Sequence, residues 1–119
     1  MKNEYPLVLL REQWKGFLES RGHRVLRVEG APDALVSNSN KHNSFRWLLF
    51  VAGGRTKILR RQERKNLTRE IAYVEKKGQT PYVVVYFAVP EPKVIIKPAG
   101  KALETGRIGS ARGGITWLG

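Results

Sequence analysis

The sequence predicts a mixed α/β domain, one central sheet of about five strands flanked by two helices. Three observations predict it. Apolar residues between Leu7 and Arg21 recur at helical spacing, and Tyr82 to Val89 is an unbroken β-branched and aromatic run. The order of periodic segments is helix, three strands, helix, two strands, which suits a single mixed sheet rather than a bundle or a sandwich. A chain of 119 residues with 41% hydrophobic content builds one core, so one compact unit is expected.

The first helix places Leu7, Leu10, Trp14, Phe17 and Leu18 on one side, and Gly22 follows as its cap. Strands are expected over Arg24 to Glu29, Ala34 to Ser37 and Phe45 to Ala52. The polar tract SNSNKHNS, from Ser37 to Ser44, forms the loop of a hairpin between the last two. Beyond Gly53 and Gly54 the period changes, and Leu59, Leu67, Ile71 and Val74 fit a second helix ending at Gly78. Tyr82 to Val89 reads as a central strand covered on both faces. Pro90 and Pro92 bracket a turn into a final edge strand, Lys93 to Lys97, which Pro98 ends. Six of the 12 glycines lie beyond residue 98. The expected organisation is therefore one folded domain over residues 1–98 and an irregular Gly-rich tail over 99–119, with Ile115, Trp117 and Leu118 as a docking patch.

Charge narrows the function. The 22 Lys and Arg against 10 Asp and Glu give a net charge of +12, and such self-repulsion is relieved by a polyanionic partner. A membrane surface would need a membrane-binding amphipathic helix or a lipidation signal, and MKNEYPLVLL has neither. No apolar run approaches the roughly 18 residues of a membrane span, and Arg11 and Glu12 interrupt the N-terminal one too early for a signal peptide. A cytoplasmic, nucleic-acid-binding protein with no membrane association is expected. The absence of cysteine excludes disulfides, thiol nucleophiles and cysteine metal sites, and His23 and His42 stand in unrelated segments.

The densest basic stretch holds Arg55, Lys57, Arg60, Arg61, Arg64, Lys65 and Arg69 against a single acid, Glu63. On a helix Arg60 stacks above Arg64, and Arg61 above Lys65, so the four form adjacent i, i+4 rows. Like charges at that spacing repel, and a phosphate chain laid along them removes the repulsion and releases counterions. The plain alternative is a solvated helix face. Arg24 and Arg27, beside Arg21 and His23, either extend this surface or form a solvated strand face. Trp14, Phe17 and Trp47 fall at core-facing positions rather than on a base-stacking platform. No glycine loop has the spacing of a nucleotide site, although Arg107 and Arg112 give the tail an RGG-like character.

Asp33 is the only aspartate, in the segment GAPDALV, and a lone Asp after Pro is ordinarily a turn former. The same segment, with ESRGHRVLRV closing the first helix, the strands RWLLFVAG and YVVVYF, and the basic helix between them, resembles the PD-(D/E)xK nuclease superfamily, in particular the archaeal-type Holliday junction resolvases. The resemblance spans about residues 7 to 97. It implies a restriction-endonuclease-like fold, a homodimer and branched or duplex DNA as substrate. It also implies a Mg²⁺ ion held by Asp33 and by a glutamate of the first helix, for which Glu12 is the nearest match. Where the family carries its (D/E)xK triplet this chain reads Val51-Ala52-Gly53, so the second acid and the lysine are missing there. Lys57 or Glu63 stand as displaced replacements, giving Glu12, Asp33 and Lys57 as the catalytic set of a junction-resolving endonuclease. A catalytically inactive DNA- or RNA-binding module that keeps the basic rows, and a subunit that inserts its tail into a nucleoprotein assembly, are the competing functions.

Overall fold

The computed structural model describes residues 7–31, 33–39 and 42–110, together with the backbone of 115–116. The chain runs α1 (Leu7–Ser20), β1 (Arg24–Arg27), β2 (Ala34–Asn38), β3 (Ser44–Val51), β4 (Thr56–Ile58), α2 (Arg61–Lys76), β5 (Gln79–Phe87), β6 (Lys93–Pro98), α3 (Ala99–Thr105), β7 (Arg107–Gly109) and β8 (Ile115–Thr116). The main sheet has the order β1-β2-β3-β5-β6-β8, and β4 pairs with β7 in a separate two-stranded ribbon. Only β3 and β5 run parallel, with Leu48 opposite Val83, because α2 carries the chain back across the sheet between them. The remaining neighbours in the main sheet are antiparallel, and the β2–β3 hairpin closes with Asn38 opposite Ser44.

Strand alternation divides the core into two layers. Leu35, Trp47, Leu49, Val84 and Tyr86 join Leu10, Trp14 and Leu18 of α1 on one face. Leu48, Val83, Val85, Phe87 and Ile95 meet Leu67 of α2 and Ala99 and Ala102 of α3 on the other. β5 therefore has a helical layer on each side, which explains its unbroken apolar run. Each fully buried side chain of this size contributes about 1.5–3 kcal/mol.

On the α1 face the aromatic residues pack against one another. The Trp14 ring stacks on Phe17 at 5.0 Å and meets Trp47 edge-on at 5.4 Å. Ser37, fully buried, accepts from Trp47 Nε1–H at 2.8 Å and lies 3.0 Å from His23 Nδ1, to which its own hydrogen is free to donate. These rings are core, as their spacing implied.

The expected mixed sheet and flanking helices are present, and the far end of the chain differs from expectation. Residues 99–110 are not irregular. Pro98 precedes α3 as its N-cap, Gly106 closes it in the left-handed region at φ 72°, and Ala99, Ala102 and Ile108 are fully buried. The glycines that suggested an irregular tail include this helix terminator. β6 is also not an edge, since β8 pairs with it at Val94 and Lys93. The side chains of Ile115, Trp117 and Leu118 lie outside the described residues. Among the described residues no helix is long and apolar enough to cross a membrane.

Candidate nucleic-acid interface

α2 forms where local signals agree. Arg60 is its extended N-cap residue, and Glu63 Oε1 accepts from the Arg60 backbone N–H at 2.9 Å, satisfying one of the first-turn donors. Leu67 and Val74 are buried against the sheet, which turns the rest of the helix outward. Because Arg60 stands at the cap, the complete row is Arg61, Lys65 and Arg69, at i, i+4 and i+8, with Arg64 beside it. Successive members rise about 6 Å along the axis. Arg55, Arg60, Arg61, Arg64, Lys65 and Arg69 are all exposed, and among the described residues none of them forms an ion pair with a carboxylate.

The other basic residues are placed differently. Arg27 turns toward α1 and donates to Glu12 at 2.6 Å, whereas Arg24, one position out of phase with buried Val25, points to the α2 side of the sheet. Glu12 is thus committed to Arg27, with Arg11 Nε at 3.6 Å.

Beside α2 lies a cleft of about 740 Å³ between the C-terminal half of β3, the start of β2 and the inner side of the helix. Asp33, Lys57, Glu63, Arg69, Glu70 and Tyr73 line it, and Glu12 does not. Lys57 from β4 donates to Glu63 Oε2 at 2.9 Å, with its ammonium 5.4 Å from the Phe50 ring centre. Burial alone would raise the Glu63 pKa. The Arg60 N–H, the Lys57 hydrogen bond and the positive charges of Lys57 and Arg60 outweigh it and hold the carboxyl below its ordinary 4.5. A carboxyl shifted this way contributes stability that is present above pH 4.5 and is lost as pH falls through the lower folded value. Thermal melts of wild type and Glu63→Gln should therefore differ most at neutral pH and converge as the solution is acidified. A difference that stays constant into acid would contradict the ion pair.

Sequence reasoning missed a second pair, whose acid, Glu70, lines this cleft. Arg46, on the α2 side of β3 with its side chain only 9% exposed, reaches Glu70 at 3.1 Å. The signal was a cation in a strand position whose neighbours two residues on, Leu48 and Phe50, pack in the core, since a buried guanidinium requires an acid on the covering helix.

The cleft thus brings together Asp33, Lys57 and Glu63, the residues weighed from the sequence apart from Glu12, and adds Glu70. Two of its three carboxylates are already neutralised by cations, and among the described residues no group of three His, Asp or Glu side chains is placed to hold a metal ion. Val51 and Gly53 contribute no side-chain ligand at the position where the resolvases carry their triplet. This donor set does not fit Mg²⁺, which is bound through carboxylates in near-ideal octahedral geometry.

No family model matches the chain, and no curated protein does. Among solved structures it is similar to Hjc, a Holliday junction resolvase from the archaeal hyperthermophile Archaeoglobus fulgidus. The TM-score is 0.56 at 15% identity, over 76% of this chain and 70% of that one. The chain shares the nuclease-like α/β fold of that protein.

Proposed function

We propose that this protein binds DNA along the exposed cations of α2 on a nuclease-like scaffold, without metal-dependent cleavage. The single observation behind it is the row Arg61, Lys65 and Arg69, flanked by Arg60 and Arg64. All are solvent-exposed, and among the described residues none is in direct ion-pair contact with a carboxylate. Cations left without acids at helix-neighbour spacing repel one another, and a phosphate backbone relieves that repulsion while releasing its condensed counterions. The resolvase-like fold supports a branched junction as the preferred ligand. It also supports a two-fold homodimer, which would set one such helix against each of two arms. An intracellular location belongs to the same proposal.

Mg²⁺-dependent phosphodiester hydrolysis, the activity that the fold resemblance implies, has Asp33, Lys57 and Glu63 in one cleft in its favour. Against it, Lys57 is spent on Glu63 and Arg46 on Glu70, so no step through a metal follows from these residues. The test follows labelled duplex and four-way junction DNA by anisotropy at rising salt, then by gel with Mg²⁺ present. Affinity is expected to fall steeply with salt, with a log–log slope of about four to five if all five cations meet phosphates. The DNA should remain intact. Salt-independent or absent binding removes the interface, and cutting that disappears in Asp33→Ala removes the non-catalytic half of the proposal.

A further inference from the structure

α2 carries its cations over a second feature, a recess of about 530 Å³ between α2 and α3, lined by Leu59, Arg61, Arg64, Lys65, Thr68 and Leu103. No acid lines it. Its floor is apolar, with Leu59 only 4% exposed and Leu103 packed against the core beneath. The floor is also tied down, because the Leu59 N–H donates to the Gly106 carbonyl at 2.9 Å, fixing the entry to α2 against the end of α3. Thr68 spends its hydroxyl hydrogen on the Arg64 carbonyl at 2.8 Å and serves only as wall. Gly106 lies beside the Arg64 guanidinium. A Cβ there would lie 3.2 Å from Arg64 Nη1, so the missing side chain leaves room for the guanidinium beside the end of α3.

Resting on the reading of α2 as a DNA-binding face, we propose that this recess takes the terminal nucleotide of a strand, with its phosphomonoester against Arg61, Arg64 and Lys65 and its sugar or base on Leu59 and Leu103. Three cations around one small volume match the charge of about −1.5 to −2 on a terminal phosphate better than the single charge of a backbone diester. Size points the same way. A recess of this volume admits one nucleotide, whereas a base pair stacked within a duplex presents only its outer backbone and cannot enter. The apolar floor distinguishes a nucleotide from inorganic phosphate, which would leave Leu59 and Leu103 uncovered.

The experiment compares nicked or linear oligonucleotides of one sequence bearing a 5′-phosphate, a 3′-phosphate or hydroxyls at both ends, alongside a closed circular duplex. Each is titrated against the full chain and against the Arg64→Gln/Lys65→Gln and Arg69→Gln variants. Wild type is expected to bind one phosphorylated end about tenfold or more tighter than the hydroxyl end, and the end preferred identifies the strand polarity. The double variant should lose that ratio. Arg69→Gln, outside the recess, should weaken every ligand while keeping the ratio. Equal binding of phosphate and hydroxyl ends by wild type, or a ratio that survives in the double variant, overturns the recess proposal and leaves the DNA-binding face standing. Failure to bind any of the four DNAs overturns the face itself. Thermal melts of each variant, expected to match wild type because the substituted side chains are exposed, separate lost contacts from lost fold.

Discussion

Replacing Arg61, Arg64, Lys65 and Arg69 together by Gln should lower affinity for duplex and junction DNA by at least about a hundredfold at low salt and flatten the salt dependence. Each phosphate contact contributes about 0.9 to the log–log slope, so losing four reduces it by about three to four units. Lys57 and Arg46 are left intact in this variant because each already has an acid, and their charge is not available to a phosphate without breaking that pair. All four side chains are exposed, and Gln keeps their polarity and helix propensity. The fold should therefore survive, with stability unchanged or slightly raised as like-charge repulsion within the helix is removed. Anisotropy titrations at several salt concentrations give the affinity and slope, and a thermal melt gives the stability. A variant that binds as wild type does would place the interface elsewhere on the molecule.

The second large effect is on stability. Trp14→Ala should cost about 3–5 kcal/mol, a large share of the roughly 5–15 kcal/mol that holds a domain together. Trp14 is 1% exposed and lies among Leu10, Leu18, Trp47 and Leu49, so its removal opens a cavity beneath α1 that neighbouring rings on rigid strands cannot close. Phe17 and Trp47 would each lose a ring contact as well. Denaturant unfolding should show an earlier midpoint at similar slope. A loss below about 1 kcal/mol would mean that α1 is peripheral to the core rather than part of it.

Much of this architecture was legible because period and burial agree. The helical spacing of Leu10, Trp14 and Leu18, and the unbroken run through Val83, Val84 and Val85, each have one physical solution in a layered fold. β4 was not legible: Thr56, Lys57 and Ile58 are too few to show a period, and their pairing with β7 is set by distant residues. α3 was hidden by the small residues that let it pack closely. Ala99 and Ala102 bury against the sheet, yet Gly100 beside them and Gly106 after them read locally as a flexible tail. At the site, the basic row could be read directly because charge and helical spacing are local properties. The pairings Lys57–Glu63 and Arg46–Glu70 could not, since each joins side chains from different elements. Glu12 was expected beside Asp33 from its place on the first helix. It lies instead on the α1 side of the sheet, where β1 presents Arg27 to it.

The Arg46–Glu70 bridge has one further bearing on how this molecule meets a ligand. It fastens the middle of α2 to the strand beneath, so the helix cannot roll about its own axis without stranding a guanidinium in the interior. On the proposed DNA-binding reading, a polyanion meets a platform whose backbone is already set, and only the long flexible stems of arginine and lysine remain to be immobilised on contact. Under that reading the association rate is expected to fall as salt is added, because long-range attraction rather than protein rearrangement sets it.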